Sequence, residues 1–183
     1  MAGFKYSKSQ AGGGTTGIVS TFAVDAAHST LLSPGDVVVL TGTSNATGIS
    51  EVDTGNATTK NTGIIESVDF GIAGETLTET GLPALTAGTL KVRVDQFALY
   101  EADADATVSA AQVGLNVGIN VTTATKSGGL TVSNMNVDTA TAAGTQTLPF
   151  RIVALLEDSA GVLGNRVLVR VNATTSSDGA VGV

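Results

Sequence analysis

The sequence predicts an all-β fold: a single barrel- or sandwich-like domain with at most one or two short helices and an extended N-terminal arm. Three observations predict it. From Ile18 onward, short apolar runs rich in Val, Ile and Thr are separated by Gly, Asn, Asp and Ser. Within them, Leu90-Lys91-Val92-Arg93-Val94-Asp95 alternates cleanly, its apolar set on one face and its charged set on the other. That is the pattern of a half-buried strand. Helical periodicity is scarce. Its best instance is the short Ser109-Ala110-Ala111-Gln112-Val113, with Ser109 as N-cap and Gly114 as the stop. Many strands without alternating helices argue for a closed or doubled sheet.

Taken in order, residues 1–17 read as a flexible arm and residues 18–183 as the β-rich body. Phe4, Lys5, Tyr6 and Lys8 precede the run Gly12-Gly13-Gly14, which reads as a hinge. The arm holds two lysines and no acid, so it carries +2 and the remainder −9, giving the formal −7. Two readings are open: a basic, partly aromatic arm that reaches a partner, or a disordered terminus. Ser33-Pro34-Gly35-Asp36 is a turn that launches Val37-Val38-Val39-Leu40-Thr41. Residues 42–62 form a polar loop or weak hairpin, and Gly63 to Phe70 another strand. After the Gly128-Gly129 turn, Val132, Met135 and Val137 fit a further strand. Leu148 to Leu156 is a long run whose Pro149 suits a strand start or an edge. Glu157 to Gly161 turns the chain into Val167-Leu168-Val169-Arg170-Val171.

The composition excludes most chemistry. The chain has one histidine (His28), no Cys and no Trp, and only 14% of its residues are charged. Acid–base, nucleophilic and metal chemistry draw mainly on His, Cys and clustered Asp/Glu, which this chain uses sparingly. A net charge of −7 disfavours nucleic acid, whose binding is driven by Lys and Arg. The start has no apolar stretch of a secretory signal, and no window reaches the ~18 apolar residues that span a bilayer. No membrane partner is therefore expected. Four Asn-x-Thr sequons, at Asn45, Asn56, Asn120 and Asn172, read as chance in a chain rich in Asn and Thr.

Each remaining motif has a plain reading beside a functional one. Gly12-x-Gly14-x-x-Gly17 matches dinucleotide spacing, but a polar arm precedes it and a β-like run follows, so no cofactor is expected. Glu101, Asp103 and Asp105, with Asp95 nearby, form the densest carboxylate patch. Its spacing lacks the calcium-loop glycine and glutamate, so it reads as a solvated strand face, not a metal site. His28 reads as a hydrogen-bonding loop residue. Arg93, Arg151, Arg166 and Arg170 suit either intrachain pairing or an interface with another copy. No residue is expected to be catalytic.

Three stretches carry a family likeness: LLSPGDVVVLTG at 31–42, GLPALTAGTLKVRVDQFALYEADADATVSAAQVGLNVGINV at 81–121, and LPFRIVALLEDSAGVLGNRVLVRVN at 148–172. As a set they resemble the head decoration, or cement, proteins of tailed bacteriophages. The resemblance covers about two-thirds of the chain and rests on texture and segment order. It implies a β-rich structural protein on the capsid exterior, made in the host cytoplasm. It implies contact with the major capsid protein and self-association as a dimer or trimer, with neither enzyme activity nor a cofactor. No contact residue carries over by motif. From the residues themselves, Phe4, Lys5, Tyr6 and Lys8 are the candidate partner-binding set. The alternatives are a tail or fibre component, an adhesin-like module, and a hydrolase using the 95–105 carboxylates. An adhesin should carry an export signal, a fibre should show repeats, and a sugar hydrolase should offer aromatic platforms.

Overall fold

The computed structural model describes residues 3–10, 18–69, 81–127, 130–172 and 174. Among them the protein is all-β, with no α-helix. In chain order the strands are β1 (Lys5–Ser9), β2 (Val19–Val24), β3 (Val37–Ser44), β4 (Ser50–Thr54), β5 (Gly63–Asp69), β6 (Gly88–Arg93) and β7 (Ala98–Asp103). There follow β8 (Asn116–Asn120), β9 (Thr125–Ser127), β10 (Leu130–Val132), β11 (Asn136–Ala143), β12 (Phe150–Glu157) and β13 (Leu163–Val171).

Five strands close a small barrel in the order β2-β4-β3-β5-β6. Its closure is the parallel pairing of β2 with β4 at Ala23 and Glu51. Six more form a sheet in the order β1-β7-β13-β12-β8-β11, and β9 and β10 make a separate hairpin. The larger sheet curls until its far strand returns to β7: Ala104 bridges Val137, and the Asp105 N–H donates to the Val137 carbonyl at 3.0 Å. Closing a sheet removes exposed edges, which suits a chain with few aromatics to cover them.

Each sheet wraps its own aliphatic cluster. Val24, Leu32, Val38, Val52, Leu90 and Val92 fill the barrel. Tyr100, Val117, Ile119, Phe150, Ile152 and Val167 centre the other. The second cluster also takes Val37 and Ile64, which belong to barrel strands. Side chains alternate across a strand. Val38 and Ile65 therefore point into the barrel while their neighbours Val37 and Ile64 point into the larger sheet. β3 and β5 are buried on both faces where they begin, which is why the sequence there runs Val-Val-Val and Ile-Ile without polar interruption. The two sheets thus pack as one sandwich-like body.

Three expectations need correction. Residues 3–10 are not a free arm: β1 pairs antiparallel with β7, from Lys5 opposite Glu101 to Ser9 opposite Ala98. Phe4 is 3% exposed and stacks on Phe150 with ring centroids 4.8 Å apart. In a core so poor in aromatics, two stacked phenylalanines fill volume that no other side chain supplies. Residues 1, 2 and 11–17 of the expected arm lie outside the described residues. Second, the alternation of 90–95 breaks at its end: Lys91 is exposed, but Arg93 and Asp95 are buried, because β6 runs there under β1 and into the turn to β7. Third, the expected helix is a single 3₁₀ turn at Ala110–Gln112, shut by the Ser109 N–H donating to Gln112 Oε1 at 2.9 Å. Residues 42–62 are the weak hairpin of the two options, built by β3 and β4 around a turn that Asn45 Oδ1 holds through the Thr47 and Ile49 N–H groups.

The seam between the sheets is the turn Ser33–Asp36. Gly35 has φ +92°, and its carbonyl accepts from the Phe4 N–H at 3.0 Å. A side chain there would need the left-handed region and would press on the Phe4 backbone. The Ser33 hydroxyl donates to the Thr131 carbonyl across the seam at 3.1 Å. Asp36 is fully buried, and its Oδ2 accepts from the Ser33 N–H at 2.7 Å. Burial pushes its carboxyl up to about 6, only partly opposed by hydrogen bonds from the Ser133 hydroxyl and the Ser33 N–H.

Two outcomes follow from this packing. Phe4→Ala should lower unfolding stability by about 3–5 kcal/mol, read by urea denaturation, since it empties a stacked core site. A free arm would lose nothing. Because the folded carboxyl of Asp36 holds its proton more tightly than the unfolded one, its contribution is full at acid pH and is lost as pH rises through about 6. Relative to Asp36→Asn, wild-type stability should therefore fall between pH 4 and pH 7, by at most about 3 kcal/mol. Parallel denaturation series at several pH values check this.

Candidate functional site

The sequence nominated Phe4, Lys5, Tyr6 and Lys8 as one binding set; the structure divides it. A bulge between Tyr6 and Lys8 places two residues of β1 against one of β7, so Lys5, Ser7 and Lys8 all face solvent. Phe4 turns into the core and Tyr6 lies half-buried against the barrel. Lys5 and Lys8 are therefore available on the outer edge of the larger sheet, while the two aromatics line its inner side.

That inner side is a cleft of about 270 Å³ between β1 and the barrel, walled by Phe4, Tyr6, Pro34, Ile64 and Ile65. Its polar members are Arg93, Glu66, Tyr100 and Lys5. The end of β6 delivers Arg93 beneath β1, where its guanidinium carbon sits 3.9 Å from the Tyr6 ring centroid. One nitrogen, Nη2, donates to Glu66 Oε1 at 2.7 Å. The arginine side chain is 6% exposed and the glutamate 44%, so the pair bridges the buried floor and the rim. Tyr6 and Tyr100 meet edge to face with ring centroids 6.2 Å apart. Burial drives the Tyr100 hydroxyl far above the usual phenol range, with Arg93 opposing only in part. Arg93 Nη1 and the hydroxyls of Tyr6 and Tyr100 are buried with no hydrogen-bond partner among the described residues. Buried polar groups are almost always satisfied, so three in one cleft mark it out. Nothing in the sequence singles out Tyr100, and alternation places Arg93 on the charged face of its strand. No local signal places Tyr6 over Arg93, because the contact joins strands more than eighty residues apart.

The acidic patch is a surface feature. On β7, Ala98, Tyr100 and Ala102 point inward while Glu101 and Asp103 point out. Asp103 pairs with Arg166 at 3.1 Å. Asp105 is exposed, and desolvation raising its pKa is outweighed by the Thr139 N–H and hydroxyl, the Asn120 amide and the Ala106 N–H, which hold it below the usual range. Asp158 borders the same open groove and holds the β12–β13 turn through the Ala160 and Val162 N–H groups. Among the described residues no group of three or more His, Cys, Asp or Glu side chains is gathered for a metal ion. His28 is buried, its Nδ1 2.8 Å from the Asp25 carbonyl, and its own carbonyl accepts from the Leu85 N–H. It is a loop residue, as expected, and its Nε2 is buried with no hydrogen-bond partner among the described residues.

The four strand arginines have intrachain partners: Arg93 with Glu66, Arg151 with Asn116, Arg166 with Asp103 and Arg170 with Gln10. Gly12, Gly14 and Gly17 lie outside the described residues, and the element that follows them is strand β2, not the helix a pyrophosphate site requires. All four sequon asparagines have their side-chain amides engaged in local structure: Asn120 on Asn136, Asn172 on the Leu148 carbonyl, Asn56 on the Lys60 carbonyl, and Asn45 in the β3–β4 turn. No family model matches the chain, and neither the curated proteins nor the solved structures give a match.

The lowered pKa of Asp105 fixes the sign of one effect. Its stabilising contribution is present above the ordinary carboxylate range and is lost as pH falls through the folded value. Asp105→Asn should be less stable than wild type at pH 7, and the gap should narrow as pH falls below the ordinary carboxylate range, read by thermal denaturation.

Proposed function

We propose that this chain is a structural virion protein that binds the outside of a tailed-phage capsid and stabilises the major capsid protein shell. The observation that carries this reading is the outer edge of β1. In a protein of net charge −7, Lys5 and Lys8 stand exposed on an edge strand. Beside its end sits Phe97, 52% exposed, whose carbonyl accepts from the Gln10 N–H. Ile18, 66% exposed, is tied to the same turn region through the Val94 N–H. Basic side chains next to exposed apolar ones suit a protein surface: the lysines steer toward acidic groups and the apolar residues supply buried area. The resemblance of the 31–42, 81–121 and 148–172 segments to decoration proteins supports the choice of a capsid as that surface.

The chemistry of the body agrees with binding in place of turnover. The composition, with one His and no Cys, supports it. A shell repeats its surface many times, so a modest contact per subunit becomes firm when a dimer or trimer engages several sites at once.

Location is the test. The purified chain should cosediment with heads of the phage that encodes it, in many copies per particle, and electron microscopy should place it on the capsid exterior. Lys5→Glu combined with Lys8→Glu should reduce occupancy at least tenfold at moderate salt while leaving the thermal midpoint within a few degrees. Finding the chain on tails, or on no particle, overturns the reading.

A further inference from the structure

We propose that the cleft between β1 and the barrel is a binding site for a carboxylate carried on an apolar body, with Arg93, Tyr6 and Tyr100 as its donors. The inference stands on the cleft alone and holds whether or not the chain decorates a capsid.

The unpartnered atoms define the ligand's polar end. Arg93 Nη1 and two phenol hydroxyls can all donate, and none of them meets an acceptor among the described residues. A carboxylate has two oxygens with about four acceptor positions and matches a guanidinium edge in plane. The charge disfavours a dianion. Arg93 and Lys5 bring two positive charges to the cleft, Glu66 stands at its rim, and buried Asp95 is close enough to act on Tyr100. Two carboxylates so near the donors disfavour a phosphate dianion, while a single carboxylate can be held by the guanidinium and the phenols. Phe4, Pro34, Ile64 and Ile65 define the apolar end, since they line the space a ligand's carbon skeleton would fill.

Tyr6 roofs the donors: its ring lies over the guanidinium at 3.9 Å, and its hydroxyl is closed to water together with Arg93 Nη1 and the Tyr100 hydroxyl. It is half-buried on an edge strand. Binding exchanges three unmade hydrogen bonds for a charge-assisted set. Free acids and carboxylates borne by a neighbouring chain share this chemistry.

The protein supplies its own probe. It has no Trp and only two Tyr, and both belong to the site. Tyrosine emission of the full chain, titrated with cyclohexanecarboxylate, should change saturably. The neutral cyclohexanecarboxamide should leave it unchanged. A second arm compares the peptide Gly-Leu-Val bearing a free C-terminus with its C-terminal amide. A response to the peptide but not the small acid places the natural carboxylate on a neighbouring chain; a response to the small acid but not the peptide places it on a free metabolite. Arg93→Lys should weaken binding about tenfold or more by removing the planar fork while keeping the charge. Should that variant fold poorly, Tyr100→Phe decides. It should unfold at equal or higher denaturant, because it deletes an unsatisfied buried hydroxyl, yet bind the carboxylate several-fold more weakly, read by calorimetry. A purely structural tyrosine would not separate the two. Absence of a saturable response to either carboxylate, equal binding of carboxylate and amide, or unchanged affinity in Tyr100→Phe overturns the proposal.

Discussion

Val37 and Val38 are neighbours in the chain and face opposite cores, as do Ile64 and Ile65. The rest of the structure depends on this double burial. A five-stranded barrel of aliphatic residues has a small interior, and a curled sheet beside it has one open face. By lending one side of β3 and β5 to the larger sheet, the barrel covers that face. Each of the four side chains contributes about 1.5–3 kcal/mol by leaving solvent, and none can change face without a register slip that would expose its partner.

The seam gains its definition from hydrogen bonds that only one geometry satisfies. The Gly35 carbonyl takes the Phe4 N–H while the Gly35 N–H reaches the Ile65 carbonyl at 2.9 Å. The turn before β3 thereby links β1, the barrel and the larger sheet at one point. Asp36 closes the turn from within at the cost of a desolvated carboxyl. The same seam holds the cleft: the strand that carries Phe4 into the core also carries Tyr6 over Arg93. A change that loosens β1 acts on stability and on the cleft together.

Much of the fold was legible in the residues. The β-rich run from Ile18, the turn at 33–36 and the strands near 37, 63, 90, 150 and 167 all follow from period-2 patterning and turn chemistry. The surface reading of Glu101, Asp103 and Asp105 followed from their alternation with small residues. The site was less legible. Alternation assigned Arg93 to the solvent face because the pattern of a strand shows which residues share a side, not what covers that side. Phe4 and Tyr6 looked like parts of a tail because five residues between a polar start and a glycine run have too little pattern to announce a strand. Their partners, Phe150, Tyr100 and Arg93, lie from 87 to 146 positions away in the chain.

By itself the sequence determined the class of molecule. A chain with abundant Val, Thr and Gly, in short apolar runs between turn residues, folds as strands and turns. Those properties are local or compositional, so they are written residue by residue. Folding determined which strands meet, and with that the identity of every residue in the cleft. Pairing β1 with β7 buries an aromatic pair, brings an arginine under a tyrosine ring and leaves two lysines outside. Such outcomes depend on contacts between distant segments, whose energies are shared by residues that no local window contains.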